Sequence, residues 1–328
     1  MATNTTSPLL DLPGAVAGDG VDAPVAAHYG SFNNEQRLLD SGEGFVDLSH
    51  RDVVVIAGPD RLTWLHSLTS QAFESLQPGV WTAALVLSPQ GHVEHHFTGV
   101  DDGTAFTAWT EPGTGEALVG FLEKMKFWSD VTVSLAADLA VVWRPSGYLM
   151  VPRDQLVAFA RAAGPAAGSW AFEALRIARG EPRFGVDTDH RTIPNEVGWL
   201  PPAPGPGGED TDDRTGFLPA VHLDKGCYRG QETVARVHTL GRPPRRLTLL
   251  HLDGSENRLP AAGSPVLLGD REVGFVGSSA RHFELGPIGL GLLKRNVPVD
   301  AELLVDDMPA AQEVVVDPEV GLHVRPLR

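Results

Sequence analysis

Cysteine is almost absent from this 328-residue chain, which contains only Cys227. A lone cysteine cannot form an internal disulfide bond, and it cannot supply the roughly four ligands that a structural zinc site or an iron–sulfur cluster needs. No run of about 18 apolar residues predicts a membrane-spanning helix. Residues 1–20 lack the basic and apolar regions of a secretory signal peptide. We therefore expect a soluble, cytoplasmic protein with no resident metal and no membrane partner.

Basic residues are also in short supply. Lysine and arginine together number 26 against 42 aspartates and glutamates, which gives a formal net charge of -16. Such a surface repels phosphate backbones, so we predict no direct general binding of nucleic acid. The length, with 42% apolar residues, predicts two or three packed units rather than one core.

The pattern of residues predicts three regions along the chain. Residues 1–25 show no hydrophobic period and are predicted to form a mobile N-terminal tail. Over residues 26–243, helical patterns such as "DRLTWLHSLTSQAFESL" alternate with strand patterns, and the Pro- and Gly-rich segment 201–216 predicts a flexible loop. Over residues 244–328, short strand patterns alternate with turns and predict a C-terminal β-barrel. The expected fold class is α+β.

The stretch "LDKGCYRGQETVARVH" carries the first candidate site. Cys227 lies between Lys225 and Arg229, and two cations close to a thiol would lower its pKa and favour the reactive thiolate. Gly226 and Gly230 give this segment the backbone freedom of a tight turn. The alternative is that the cysteine only fills a small gap in that turn. Both interpretations remain open on local chemistry.

The stretch "QGHVEHHF" is the second candidate. In a strand, His95 shares one face with Val93 and Phe97 and could line a cavity, whereas the two other histidines and the glutamate share the opposite face. That polar trio could bind a metal or could simply be solvated. A cysteine hydrolase would need a histidine base near the thiol, for which His222 and His238 are candidates, although unrelated surface histidines are the alternative.

The stretch "RVHTLGRPPRR" is the third candidate. It gathers Arg236, Arg242, Arg245 and Arg246 in an otherwise acidic chain. Such a cluster could bind a small polyanion such as a ligand with several carboxylates, or it could be a solvated linker. Glu196 in "IPNE" could pair with an aminopyrimidine-like edge of a ligand.

Residues 225–232, "KGCYRGQE", resemble the K-G-C-[FY]-x-G-Q-E signature of the YgfZ-type folate-binding proteins, relatives of the aminomethyltransferase (T-protein) of the glycine cleavage system. The segments "LSHRDVVVIAGPDRLTWLHSLTSQ", "VLSPQGHV", "LRIARGEPRFGVD" and "REVGFVGSS" are similar to further patterns of the same family. The eight-residue signature is the specific part of this resemblance, and the other segments support it.

The resemblance implies a multi-domain cloverleaf fold of the aminomethyltransferase type, with tetrahydrofolate in a central channel and a C-terminal β-barrel. It implies that the protein supports assembly or repair of iron–sulfur clusters in client enzymes, including enzymes of tRNA modification. The implied partners are folate and iron–sulfur client proteins or assembly factors.

The resemblance also implies the site residues. Cys227 and Lys225 would be the catalytic pair. The remaining signature loop comprises Gly226, Tyr228, Arg229, Gly230, Gln231 and Glu232. The residues expected to contact folate, or in the case of Arg236 either folate or the loop, are Glu196, Arg236 and His95.

Departures from the T-protein pattern leave the enzymatic activity open. The aspartate pair used in aminomethyl transfer falls on His95 and His96, which cannot supply an anionic carboxylate beside a cationic methylene group. The pterin-contacting glutamate falls on Ala178, and Gln231 interrupts the T-protein's F-I-G-[RK]-E pattern. A folate-dependent aminomethyltransferase or demethylase acting on a small amine therefore remains the alternative function, and a non-catalytic folate-sensing scaffold is a third.

Overall fold

The computed structural model describes residues 6–201, 218–255 and 257–323. The chain divides into two compact units. The first comprises residues Met1–Leu65, Phe73–Thr82 and Phe97–Leu175, and the second comprises His66–Ala72, Ala83–His96 and Arg176–Arg328. This division interleaves segments of the chain, and the domain limits at residues 26, 243 and 244 remain predictions. Apart from residue 201, the predicted loop 201–216 lies outside the described residues.

Helices and strands alternate through most of the described chain. The helices are α1 (Phe32–Asp40), α2 (Arg61–Leu68), α3 (Gly115–Lys124), α4 (Leu156–Ala162), α5 (Ser169–Ala178) and α6 (Gln231–Leu240). The strands are β1 (Val16–Ala17), β2 (Ala26–His28), β3 (Phe45–Asp47), β4 (Asp52–Ala57), β5 (Trp81–Leu87), β6 (Val93–Asp101), β7 (Ala105–Thr110), β8 (Thr132–Leu135), β9 (Leu139–Arg144), β10 (Gly147–Pro152), β11 (Ala166–Ala167), β12 (Arg245–Leu252), β13 (Pro265–Leu268), β14 (Arg271–His282), β15 (Gly286–Lys294), β16 (Leu303–Val305) and β17 (Met308–Val314). None of the helices within the described ranges is long and apolar enough to cross a membrane.

Two sheets organise the first part of the chain. One has the strand order β5-β6-β7-β4-β8, and the other has the order β10-β9-β3-β11. Strand β4 is apolar at almost every position because α3 and neighbouring strands cover it, and Val54 and Ile56 are fully buried. The helix predicted from "DRLTWLHSLTSQAFESL" is confirmed in its first half as α2, whose Leu65 is fully buried, but it ends at Leu68 and residues 69–76 are not helical.

The predicted mobile tail is wrong from residue 6 onward. Pro8–Asp11 forms a 3-10 helix, and the hydroxyl of Ser7 accepts a hydrogen bond from the Leu9 N–H at 3.1 Å. Leu9 is fully buried in a cluster that includes Phe45 and Leu156. The leucines at positions 9, 10 and 12 follow neither a helical nor a strand period, because burial here depends on tertiary contacts rather than on an amphipathic repeat. Residues 1–5 lie outside the described part.

The predicted C-terminal barrel is confirmed. Six strands close in the order β12-β15-β14-β13-β16-β17. The ring is completed by antiparallel pairing of β12 with β17, in which Thr248 lies opposite Val314. Its interior is filled by aliphatic side chains such as Leu250, Val276 and Leu293, all fully buried. Closure leaves these strands without open edges, which explains how short strands form a stable sheet.

Candidate functional site

The signature segment forms a loop that leads directly into α6. Gly230 precedes the helix with φ of 81° and ψ of -1°, a left-handed conformation that glycine adopts without strain. A Cβ atom at this position would lie 2.5 Å from the carbonyl oxygen of Ser88 and 2.9 Å from the Cα of Gly91. The second glycine of the signature is therefore required both by its backbone angle and by the close approach of the turn at residues 88–91.

Lys225 anchors the signature loop through its buried ammonium group. Its side chain is 7% exposed, and the ammonium group donates hydrogen bonds to the main-chain carbonyls of His66 and, at 2.5 Å, Thr69. The same ammonium lies 5.0 Å from the ring centroid of Tyr228. Burial raises the pKa of the Tyr228 hydroxyl to about 12, so this ring is neutral at physiological pH. Lys225 thus holds the loop against the segment at residues 66–69.

Cys227 is free and exposed. The two flanking cations have other hydrogen-bond partners: Lys225 binds carbonyl oxygens, and Arg229 donates to Glu94 at 3.0 Å. The geometry therefore does not show the predicted convergence of both cations on the thiol. It does show that the thiol is accessible to a reagent or a partner.

The rest of the signature closes the turn and begins the helix. The backbone N–H of Gln231 donates to the Tyr228 carbonyl at 3.2 Å, and among the described residues no atom lies within 4 Å of a Cβ added at Gly226. The carboxylate of Glu232 accepts a hydrogen bond from Arg236 at 2.5 Å, on the exposed face of α6. Glu232 and Arg236 thus form an i,i+4 surface pair, and the expected contact of Arg236 with either folate or the loop remains a prediction.

Glu196 is part of a buried ion-pair network. It is 1% exposed, and its two oxygens accept hydrogen bonds from the Arg245 guanidinium at 2.9 and 2.8 Å and from the Ile193 N–H at 3.1 Å. Arg245 also donates to Asp189 at 2.7 Å. Although burial opposes it, hydrogen bonds from Arg245 and from the Arg191 N–H lower the pKa of Asp189. Glu196 is therefore an ion-pair partner of Arg245, and its contact with folate remains a prediction.

Three of the arginines in "RVHTLGRPPRR", for which a polyanion site and a solvated linker were both open, have partners within the protein. Arg245 is held by Asp189 and Glu196, Arg242 donates to Glu319 at 3.0 Å, and Arg246 is fully buried with Gln312 as a partner at 2.8 Å. Adjacent basic residues on a strand point to opposite faces, so they cannot converge on one anion. Because these arginines are close together in the sequence, the sequence alone did not show that their side chains bind different partners.

His95 lies on the buried side of β6, as its alternation with Val93 and Phe97 predicted. Burial lowers the pKa of its imidazole to about 4, so the ring is neutral at physiological pH and can serve as a hydrogen-bond donor or acceptor. The neighbouring His96 ring stacks on Trp199 with a centroid distance of 4.9 Å and an interplanar angle of 9°. No group of three or more potential ligands within the described ranges is arranged to hold a metal ion.

Sequence reasoning missed a second polar site, which is built around Arg51 in the first unit. Arg51 is 4% exposed, and its guanidinium carbon lies 4.1 Å from the Trp109 ring centroid and 5.4 Å from that of Phe172. Its Nη2 lies 3.8 Å from a Glu111 oxygen. Its Nε and Nη1 find no hydrogen-bond partner among the described residues. Since a buried unpaired donor costs about 1–3 kcal/mol, this arginine is suited to an acceptor supplied by a ligand.

An aromatic row leads away from Arg51. The rings of Trp109 and Tyr148 lie 5.0 Å apart, and those of Tyr148 and Trp81 lie 5.7 Å apart. Trp109 is buried, whereas Tyr148 and Trp81 are half-buried. The row therefore offers aromatic rings for stacking, and the buried N–H donors of Arg51 lie at its buried end. Such a combination suits a ligand with planar rings and hydrogen-bond acceptors.

Further unpartnered polar atoms lie close to Asp47. They are the Ser49 hydroxyl, the Tyr29 hydroxyl and Nη1 of Arg153, none with a hydrogen-bond partner in the described part of the chain. Arg153 donates to the Ser49 carbonyl at 2.7 Å. Burial raises the pKa of Tyr29, as does the Asp47 charge, so the phenol stays protonated. The only sequence signal for these residues was the polar "DLSH" within an apolar stretch.

Comparisons with known proteins place this geometry on a known fold. No family model matches the chain. A curated Arabidopsis thaliana protein named "Putative transferase", chloroplastic, is 25% identical over 341 aligned residues, covering 86% of this chain and 71% of that protein. The aminomethyltransferase of Chromobacterium violaceum is 25% identical over 252 residues, covering 60% of this chain and 69% of that protein.

The solved glycine cleavage system aminomethyltransferase T from Bartonella henselae matches with a TM-score of 0.74 and 16% identity, covering 95% of this chain and 96% of that one. The fold is aminomethyltransferase-like. The expected fold class is thereby confirmed, since α+β units and a closed barrel occur together in a chain that matches along nearly its whole length. The finer resemblance to the YgfZ-type proteins remains a prediction.

Proposed function

We propose that this protein binds tetrahydrofolate and uses it in support of iron–sulfur client enzymes, with Cys227 as the working thiol. The observation that carries the folate part is Arg51, a buried guanidinium with unpartnered Nε and Nη1 at the end of an aromatic row. Tetrahydrofolate combines a pterin ring and an aminobenzoyl ring with several acceptor oxygens, so its chemistry fits stacking surfaces and buried donors. When bound, it would supply one-carbon carrier chemistry.

The chain's own residues would perform separate tasks. Arg51 would hold an acceptor of the ligand, and Trp109 and Tyr148 would orient its rings. Lys225 and Gly230 would fix the loop that exposes Cys227. The iron–sulfur part depends on the resemblance of "KGCYRGQE" and on an accessible thiol that, being single, must act with a ligand or another protein.

Arg51→Met tests the folate part. Removing the buried guanidinium takes a cation away from Glu111, 3.8 Å distant, so the unliganded variant should be less stable than wild type. It should also abolish the rise in unfolding temperature that tetrahydrofolate produces under anaerobic conditions. Arg229→Met, at an exposed ion pair, is the matched control and should retain that rise. If both variants retain it, Arg51 is not a folate contact.

Complementation tests the thiol part. In a strain lacking the gene, the Cys227→Ser protein should leave the activity of iron–sulfur client enzymes low, whereas the wild-type protein should restore it. Full restoration by Cys227→Ser at equal protein level would show that the thiol is dispensable.

A transferase acting on a small amine is the second candidate, favoured by the names of the two curated relatives. The presence of His95 and His96 where the T-protein resemblance expects aspartates speaks against it. Conversion of a methylamine donor and tetrahydrofolate to methylene-tetrahydrofolate by the purified protein would support it over the first proposal.

A further inference from the structure

The turn that joins β3 to β4 in the first unit carries three consecutive buried polar side chains. It is closed by a hydrogen bond from the Arg51 N–H to the Leu48 carbonyl at 3.0 Å. Ser49, His50 and Arg51 are all buried, and each has a buried polar atom without a hydrogen-bond partner in the described part of the chain. Such atoms are rare in folded proteins, because leaving them unpaired costs free energy. Three in succession indicate that a bound molecule supplies the missing partners.

His50 is the titratable residue of this turn to which the proposed function gives no role. Its ring Nε2 lies 2.8 Å from a carboxylate oxygen of Asp22, and the His50 side chain is 2% exposed. Turning the ring over would bring a carbon atom to the carboxylate in place of Nε2, so only the present orientation makes this hydrogen bond. Asp22 and His50 therefore form a defined carboxylate–imidazole pair.

The hydrogen bond to Asp22 fixes which ring nitrogen of His50 carries a proton. A carboxylate accepts hydrogen bonds and has no hydrogen to donate, so Nε2 must be the donor. In a neutral imidazole with its proton on Nε2, the other nitrogen, Nδ1, has a lone pair and can only accept. This Nδ1 is buried and has no hydrogen-bond partner among the described residues. Asp22 thus holds His50 as a buried acceptor that no described residue uses.

The backbone on both sides of the pair is fixed. Asp22 ends a 3-10 helix, and its carbonyl accepts a hydrogen bond at 3.1 Å from the N–H of Val25, which is fully buried. On the other side, the N–H of Leu48 donates to the Val141 carbonyl at 3.0 Å and holds the turn against β9. A group that is held in place before binding loses less entropy when a ligand arrives.

We propose that Nδ1 of His50 accepts a hydrogen bond from an N–H group of the bound ligand, and that Asp22 is the positioning residue that keeps this nitrogen unprotonated. The identity of the ligand rests on the proposed function, since tetrahydrofolate carries several N–H groups. The Cα atoms of His50 and Arg51 are only about 3.8 Å apart along the chain. One turn therefore offers N–H donors from Arg51 and an acceptor from His50. A ligand that has both acceptor oxygens and N–H donors complements the two residues, whereas a simple carboxylate complements only Arg51.

Nitrogen NMR spectra of the full-length protein with isotope-labelled histidine test the tautomer and the contact. Two-bond proton–nitrogen correlations distinguish a ring nitrogen that has a lone pair from one that carries a proton. The His50 signals are identified by their absence from His50→Gln or His50→Asn. They should show the lone pair on Nδ1 in the free protein, and saturating tetrahydrofolate should shift the Nδ1 signal toward the protonated range. In Asp22→Asn, part of the protein should instead carry the proton on Nδ1, because an amide can donate to Nε2.

Calorimetric titration with tetrahydrofolate tests the same contact by affinity. The amide of His50→Gln can still donate to Asp22 but has no acceptor in place of Nδ1, so this variant should bind at least about tenfold more weakly than wild type. The control is His251→Gln, which removes an exposed imidazole that lies at the same 2.8 Å from Glu313, and it should bind as wild type does.

The outcomes separate this inference from the proposed function. Equal affinity of wild type and His50→Gln would overturn the inference alone and would leave ordered water as the partner of Nδ1. A proton on Nδ1 in the free protein, or an Nδ1 signal that tetrahydrofolate does not shift, would overturn it as well. The absence of any tetrahydrofolate binding by the wild-type protein would overturn both the inference and the proposed function.

Discussion

Substitution of Gly230 gives the most specific prediction about stability, because Gly226 in the same loop serves as its control. In Gly230→Ala, an L-residue would be forced to φ of about 81°, which costs about 1–2 kcal/mol. Its Cβ would also lie 2.5 Å from the Ser88 carbonyl oxygen, 2.9 Å from the Gly91 Cα and 3.0 Å from the Leu87 Cβ. Overpacking of this kind costs about 1–3 kcal/mol. We expect a loss of about 2–5 kcal/mol in the free energy of unfolding.

The assay is urea unfolding followed by tryptophan fluorescence, since Trp199 is buried in the same unit. With a slope of about 2 kcal/mol per molar urea, the midpoint should fall by about 1 M or more. Gly226→Ala should change the free energy of unfolding by less than about 0.5 kcal/mol, because no atom of the described residues lies within 4 Å of the added Cβ. Equal midpoints for the two variants would refute the steric reasoning, as would a larger loss in Gly226→Ala.

Three further predictions concern buried polar groups. Lys225→Met removes an ammonium bound to two carbonyls and should cost about 1–3 kcal/mol in urea unfolding; no loss would show that the anchor is dispensable. Glu196→Gln should lower the free energy of unfolding by about 3 kcal/mol, because it weakens the pairing of buried Arg245. In a double-mutant cycle, adding Arg245→Met should recover part of this loss. Strictly additive losses in the two single variants would contradict the pairing. Burial lowers the pKa of the His95 imidazole to about 4 in the folded protein, whereas an exposed imidazole titrates near 6.5. As the pH falls below about 6.5, the unfolded chain therefore binds a proton at His95 before the folded protein does. The free energy of unfolding should decline toward pH 4 as a result. That decline should be shallower in His95→Gln, and an unchanged pH profile would contradict this account of His95.

The features predicted successfully from sequence depend on local or regular patterns. Turn residues at short intervals indicated the barrel, the helical pattern that begins at "DRLTWL" indicated α2, and strand alternation placed His95 on the buried side of β6. Each of these is fixed by a backbone period that the sequence repeats. The left-handed turn at Gly230 likewise follows from the residue type itself.

The features that were missed depend on partners distant along the chain. Lys225 binds a carbonyl 156 positions away, and Arg245 reaches Glu196 across 49 positions. A charged residue in a sequence gives no sign of which opposite charge it will meet, so the cations were assigned to the thiol and to a polyanion. Arg51 was missed for the same reason, because neither its burial nor its aromatic neighbours can be read from "SHRD".

Calorimetric titration of the purified, reduced protein with tetrahydrofolate tests the central claim most directly. We predict saturable binding of one equivalent by the wild-type chain and by Arg229→Met, and at least about tenfold weaker binding by Arg51→Met. No heat at any temperature, together with no shift in unfolding temperature, would contradict the proposal that this fold binds folate in this protein. Equal affinity in all three proteins would instead place any folate away from Arg51.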